Sequence, residues 1–133
     1  MCSEFYQTQA VDHAIPRSMM EENFGTVIKG SPYVDGVIIE KDGKPAGYGL
    51  ISLTYSGEAG GLCVILEEIY IREEHRGGGL GQEFFAWAEE QYPEARRFRL
   101  EATPSNQRAM DLYRRLGFEP LHYVQMVRDR TGE

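Results

Sequence analysis

Apolar and polar residues change rhythm several times along the chain, and each change marks an element. Helix-forming polar sequence surrounds Phe5 and Tyr6 and is broken at Pro16; a second helical run from Arg17 to Ile28 is stopped by Gly30-Ser31-Pro32. From Tyr33 the period shortens. Val37-Ile38-Ile39-Glu40, the turn Lys41-Asp42-Gly43-Lys44 and the run Ala46 to Leu53 predict two strands joined by a tight Asp-Gly turn, which is a hairpin. Beyond the glycine-bearing loop Ser56 to Gly61, Leu62-Cys63-Val64-Ile65-Leu66 continues as Glu67-Glu68-Ile69-Tyr70-Ile71 with strand character throughout. Helical spacing then returns. Leu80, Phe84, Trp87 and Ala88 fall on one face of a helix that stops near Pro93. Phe98 to Ala102 is a short alternating strand, and Pro104 and Ser105 open a second amphipathic helix with Ala109, Leu112, Tyr113 and Leu116 on one stripe and Gly117 as its left-handed stop. Tyr123 to Arg128 is predicted as a last strand. The order is helical segment, hairpin, strand, helix, strand, helix, strand, which is an α/β (α+β) arrangement with a mixed sheet.

Composition narrows the classes without choosing among enzymes. At 133 residues, 41% hydrophobic and 26% charged, the chain suits one domain over residues 1–133 with a core that needs neither disulfide nor metal. Cys2 and Cys63 are far apart and His13, His75 and His122 are scattered, so no metal-ligand spacing is present. The net charge of −7 argues against nucleic-acid binding. No apolar run is long enough to span a membrane, and the start lacks a basic region followed by an apolar one, so the expected address is the cytoplasm. Charge is nevertheless uneven. Arg96, Arg97, Arg99, Arg108, Arg114 and Arg115 crowd the later part of the chain, a basic stretch that would suit a small phosphorylated ligand or simply form solvated faces.

The segment EEHRGGGLGQ, Glu73 to Gln82, puts four glycines within five positions between a strand and a helix. Each costs about 0.5–1 kcal/mol relative to alanine through lost backbone freedom, so a compensating use is expected. A strand passing through such a loop into a helix presents consecutive backbone N–H groups and the positive end of a helix dipole to one point, which suits phosphate oxygens. A Walker A loop would need Lys after its last glycine, where Gln82 stands, and the dinucleotide pattern counted from Gly77 would also put its last glycine at Gln82. Glu101 keeps a Rossmann alternative open, against which the upstream hairpin speaks.

Arg76-Gly77-Gly78-Gly79-Leu80-Gly81 resembles the Arg/Gln-x-x-Gly-x-Gly/Ala signature of the GNAT superfamily of acetyl-CoA-dependent N-acetyltransferases. Leu66 to Ile71 looks like that family's central acetyl-CoA-binding strand, and Asn106 to Phe118 looks like its Asn-x-x-Ala-x-x-Leu-Tyr-x-x-x-Gly-Phe segment. The resemblance covers residues 37 to 128 and thins over residues 1 to 36. It implies a mixed, mostly antiparallel sheet with a V-shaped split between its two central strands, flanked by helices. It further implies that Arg76, Gly77, Gly78, Gly79, Leu80 and Gly81 bind acetyl-CoA, with the diphosphate on the N–H groups of Gly77, Gly79, Leu80 and Gly81, while the pantetheine arm pairs with Ile69, Tyr70 and Ile71 like an added strand. Asn106 would touch that arm or position the helix after it.

For the chemistry, the resemblance puts Tyr113 at the general-acid position, where a phenol of ordinary pKa near ~10 is protonated at neutral pH. The thioester carbonyl would be polarised by a strand N–H, that of Ile69. Glu67 and Glu68 interrupt an apolar strand; alternation sends them to opposite faces unless a bulge intervenes. Glu67 is the expected base and Glu68 the expected holder of a cationic substrate, with ion pairs to Arg72 or Arg99 as the structural alternative. The expected activity is direct acetyl transfer to a primary amine of a small cationic molecule; the alternative is a catalytically idle acyl-CoA-binding or sensor module. A homodimer is common in the family. A GNAT domain usually opens with a strand, and Met1 to Tyr6 is not β-rich, so the N-terminal strand is expected to be absent and one edge of the Val37 to Glu40 strand unpaired.

Overall fold

Asp42 and Gly43 both adopt positive φ, 53° and 76°, the paired left-handed conformation that a two-residue hairpin turn requires. Around that turn the computed structural model, which describes residues 1–5 and 15–130, builds the rest of its sheet. Its elements are α1 (Cys2–Phe5), α2 (Arg17–Lys29), β1 (Val34–Lys41), β2 (Lys44–Ser56), β3 (Gly61–Ile71), α3 (Leu80–Gln91), β4 (Arg97–Leu100) and α4 (Gln107–Arg115), with a 3-10 turn at Glu73–His75. The first helical reading around Tyr6 lies outside the described residues, as does His13.

The sheet runs in the order β1-β2-β3-β4. The first two interfaces are antiparallel and the third, between β3 and β4, is parallel, as a strand-helix-strand crossover through α3 demands. This is the mixed, mostly antiparallel sheet expected. Among the described residues no strand precedes Val34, and β1 pairs only with β2.

Two faces of the sheet bury different things. On one, Ile51, Val64 and Leu66 pack with Phe84 and Ala88 of α3. Phe85 extends this cluster by edge contacts to Phe98 of β4 at 5.5 Å and to Phe118 beyond α4 at 5.1 Å. On the other, Phe5 of α1 packs edge-on to Tyr48 in a cluster with Tyr70, and Phe24 of α2 meets the Tyr48 ring edge at 6.0 Å. Strand alternation separates the sets: Tyr48, Leu50 and Ser52 point to the α1/α2 face, Gly49, Ile51 and Leu53 to the α3 face.

The predicted last strand does not form. Residues 119–130 carry no ladder, and Val124 and Met126 are 87% and 92% exposed. The apolar positions explain why: Leu121 and Tyr123 share one parity and Val124 and Met126 the other, so an extended chain here has no single apolar face to bury. Pro120 also withholds an N–H. The segment is held by Tyr123, whose hydroxyl donates to Glu58 Oε2 at 3.1 Å in the β2–β3 turn. Helix α4 likewise opens one step later than expected, capped by Asn106 rather than Ser105, with Ala109 N–H donating to Asn106 Oδ1 at 3.3 Å.

The seating of α3 depends on a missing side chain. A Cβ on Gly49 would lie 2.3 Å from the Phe84 ring, so the helix packs directly on the strand backbone. Gly49→Val is expected to destabilise the protein by about 1–3 kcal/mol, the scale of overpacking, read as a lower denaturant midpoint with an unchanged m-value.

Candidate acetyl-CoA site at the split between two parallel strands

The parallel ladder between β3 and β4 is short. Cys63 pairs with Arg97, Val64 with Phe98, Ile65 with Arg99 and Leu66 with Leu100, after which the ladder ends while β3 runs on to Ile71. The remaining β3 residues therefore have a neighbour on one side alone, and the orientation of their backbone groups follows from the β2 register. Arg72 N–H donates to Ala46 C=O at 2.7 Å. Bonded and non-bonded pairs alternate in an antiparallel ladder, so the Tyr48–Tyr70 pair is bonded and the Gly49–Ile69 and Gly47–Ile71 pairs are not. The N–H and C=O groups of Ile69 and Ile71 thus point away from β2 and into the split.

One of these groups has a partner in the chain. Arg76 Nε–H donates to Ile71 C=O at 2.8 Å, and its guanidinium lies 5.6 Å over the Tyr70 ring. Arg76 thus braces the strand end against the loop that follows, instead of projecting toward the glycines. The loop has the form of an anion cradle. Gly77 and Gly79 take φ of 83° and 82°, Gly79 in the left-handed region as the residue before α3, and no atom lies within 4 Å of where a Gly79 Cβ would stand.

Two cations flank this loop from different elements. Arg108 of α4 lies 3.6 Å from the Cβ position of Gly77, and Lys41 at the end of β1 lies 3.2 Å from that of Gly78. Leu112, one turn beyond Arg108, sits 3.3 Å from the Cβ position of Gly81, so α4 lies against the first turn of α3. The arginine-rich stretch does not make one patch. Arg97 pairs with Glu58 and Arg96 packs on Gly61, while Arg108, Arg114 and Arg115 line one concavity on α4 with Asp111, which pairs with Arg114, and Arg108 of these reaches the glycines.

A bulge decides the placement of the two glutamates. Leu50 pairs with Glu68 and Ile51 with Leu66, leaving Glu67 as the extra residue of β3. Ser52 Oγ donates to Glu67 Oε1 at 2.6 Å, and Tyr48 Oη donates to Glu68 Oε1 at 2.7 Å. Since Tyr48 and Ser52 share a face, both carboxylates point to that face, and alternation is broken. Their surroundings differ sharply. Glu68 is 6% exposed, beneath α1 and within 3.8 Å of Cys2 Sγ, whereas Glu67 is exposed at the mouth of the split. Burial and the hydrogen bond to Glu68 hold the Tyr48 phenol far above its ordinary pKa, and burial likewise raises the Cys2 thiol. Arg72 and Arg99 take part in no ion pair among the described residues, so the structural alternative, in which they pair with the glutamates, is not what forms.

Tyr113 lies on α4 with its ring edge-on to Phe118 at 6.0 Å, and burial raises its phenol above the usual value. Such a group keeps its proton through the neutral range. Ser52 and Tyr48 are not legible in the sequence because which face of β2 carries the glutamates is a property of the packed sheet, and Lys41 is not because β1 and the glycine loop meet only in the tertiary structure. Among the described residues no three His, Cys, Asp or Glu side chains could hold a metal ion, and no helix is long and apolar enough to cross a membrane.

Comparison with known proteins agrees with this geometry. The Acetyltransferase (GNAT) family matches residues 3–118. A candidate ribosomal protein bS18-alanine N-acetyltransferase of Bacillus subtilis is 31% identical over 122 residues, covering 86% of this chain and 72% of its own. Thialysine N-epsilon-acetyltransferase of Bos taurus is 35% identical over 91 residues, and the match spans 63% of this chain and about half, 53%, of that enzyme. Among solved structures, aminoglycoside N-acetyltransferase AAC(6′)-Iy bound to a CoA bisubstrate analogue superposes with a TM-score of 0.74 at 20% identity, covering 87% of this chain and 82% of that one. An integron cassette protein from a salt-marsh metagenome reaches a TM-score of 0.78 at 22% identity, covering 98% and 81%. At these identities the structural matches concern the fold.

If the loop receives a diphosphate, a carboxylate there should repel it. Acetyl-CoA at a hundredfold excess over Kd should stabilise the wild-type protein by about 2.7 kcal/mol, and Gly79→Asp should abolish most of that gain. An equal rise in melting temperature for both proteins would remove the loop from the site.

Proposed function

The chain belongs to the acetyltransferase (GNAT) family, and from that premise we propose that it transfers the acetyl group of acetyl-CoA directly to a primary amine of a small cationic substrate. The observation that carries this reading is the open edge of β3, where the inward-turned backbone of Ile69 and Ile71 continues into the glycine loop at α3. An extended pantetheine arm can add to such an edge as a strand would, and the N–H groups of Gly77, Gly79, Leu80 and Gly81 can hold the diphosphate. Asn106 caps α4 through Oδ1 and keeps its amide N–H groups as donors toward the same arm.

Acetyl-CoA supplies an activated thioester carbonyl. The chain supplies the rest: Ile69 N–H to polarise the carbonyl, Glu67 to take the amine proton, and Tyr113 Oη to return a proton to the thiolate as C–N forms and C–S breaks. Glu67 suits the base role because it is exposed at the split, with Ser52 holding its orientation. Glu68 is buried and bonded to Tyr48, which suits support of the strand more than contact with substrate. The thialysine relatives are named for a small amine, whereas the Bacillus subtilis relative is named for a ribosomal protein. The deciding experiment is therefore a panel of small amines plus an alanine-terminated peptide, with acetyl-CoA and thiol release as readout. Thermal stabilisation by acetyl-CoA without turnover of any acceptor would instead favour a binding or sensor module.

Tyr113→Phe keeps the packing against Phe118 and removes the hydroxyl, so kcat should fall about 10²-fold with acetyl-CoA binding unchanged. Unaltered kcat would return Tyr113 to the core. Because its phenol is raised above the ordinary value, ionisation of Tyr113 should not depress the rate below about pH 10. Glu67→Gln should lower kcat/KM by about 10²-fold or more and flatten the acidic limb of the pH profile. A Gln variant that keeps both rate and limb would exclude Glu67 as base.

A further inference from the structure

Among the described residues two guanidiniums have a buried Nε–H with no hydrogen-bond partner, that of Arg72 just past the end of β3 and that of Arg99, and Arg99 is the one on the strand opposite Glu67. Arg99 belongs to β4, and its Nε–H is buried without a hydrogen-bond acceptor. A half-buried guanidinium with an orphaned donor is uncommon, because an unmade hydrogen bond to a buried charged group is costly. The register shows where it stands. Ser52 of β2 pairs with Ile65 of β3, and Ile65 pairs with Arg99 of β4, so these three form one row across the sheet. Register partners share a face, and Ser52 is the residue that holds Glu67. Arg99 is therefore on the same face as Glu67, on the opposite arm of the split, one position before the ladder ends at Leu100.

That face carries a fixed charge pattern at the mouth of the split. Glu67 is negative and tied to Ser52 on the β2 side; Arg99 is positive and unpaired on the β4 side, with the apolar Ile65 between them. The two do not satisfy each other: among the described residues no ion pair of 4.0 Å or less involves Arg99. Its neighbour Arg97, on the same face, is already engaged by Glu58. An acceptor carrying a single positive charge would be drawn to Glu67 but opposed by Arg99. An acceptor with an amine and a carboxylate would meet both.

We propose that Arg99 is a specificity residue of the acceptor site that binds a carboxylate, so that the amine acetylated belongs to a small amino acid. This rests on the acetyltransferase reading with Glu67 as base, and narrows its substrate class. The amine approaches the split beside Glu67 while the guanidinium, whose planar fork matches a carboxylate, takes the acid group. Transfer itself is unchanged: C–N forms, C–S breaks, and the amine proton leaves to Glu67.

The test is a set of matched acceptors that differ by one carboxylate: L-lysine against cadaverine, L-ornithine against putrescine and glycine against methylamine, each with acetyl-CoA and thiol release. The wild-type chain should prefer the acid-bearing member of at least one pair in kcat/KM. Arg99→Gln should reduce that preference about 10- to 100-fold, chiefly through KM of the amino acid, and Arg99→Lys should retain part of it. Equal stabilisation of both variants by acetyl-CoA would establish that they fold. Amines turned over with no preference for the carboxylate, or a preference that survives Arg99→Gln, would overturn the assignment while leaving the acetyltransferase reading intact. No thiol release with any amine would count against that reading itself, and the Arg99 assignment would fall with it.

Discussion

The bulge at Glu67 lies one residue beyond the last rung of the β3–β4 ladder, and much of the site follows from that coincidence. A bulge bends its strand and increases local twist, and here it does so where β4 turns away toward α4. Backbone N–H and C=O groups require partners, yet among the described residues β3 continues past Leu66 with β2 as its one neighbouring strand. Of the groups that Ile69 and Ile71 turn into the split, the Ile71 carbonyl is taken by Arg76. The extra residue also turns Glu67 onto the face of Glu68, which a regular strand would forbid.

Packing on the α3 face then determines what stands at the end of that edge. Because Gly49 has no side chain, Phe84 rests on the backbone of β2 and the axis of α3 is set close to the sheet. The positive φ of Gly77 and Gly79 lets the chain turn from the strand end into the helix within a few residues. Arg76 bonds the Ile71 carbonyl and keeps strand and loop in fixed relation. Close approach of Leu112 to Gly81 brings α4, with Arg108, against the same turn. The glycine cluster is thus used three ways: for left-handed backbone, for close helix contact and for bare N–H groups.

On the opposite face, neighbouring charges are treated unequally. Glu68 is sealed under α1 and receives the Tyr48 hydroxyl, as a buried carboxylate must to offset its desolvation. Glu67, adjacent in sequence, stays at the surface with a serine to orient it. Across the split, Arg99 is partly desolvated without an ion-pair partner among the described residues. A fold that satisfies one carboxylate so completely and leaves a nearby guanidinium unsatisfied separates structural polarity from polarity available to a ligand.

Much of this was legible in the residues themselves, and the rest has an identifiable reason for being hidden. Local rules found the hairpin at Asp42-Gly43, the helices containing Phe84 and Leu112, and the glycine loop, since each depends on contacts within a few positions of the chain. The last strand was misread because Tyr123 to Arg128 is apolar but alternates on neither face, and a strand exists only where a partner edge accepts it. The sequence by itself determined the order of elements as far as α4 and the place of Gly77 to Gly81 between a strand and a helix. Only the tertiary structure decided that Glu67 and Glu68 share a face, that Arg76 braces instead of reaching outward, and that Ser52, Ile65 and Arg99 form one row. Those facts are properties of register, and register is set between strands distant in the chain by how their faces bury, which no local pattern encodes.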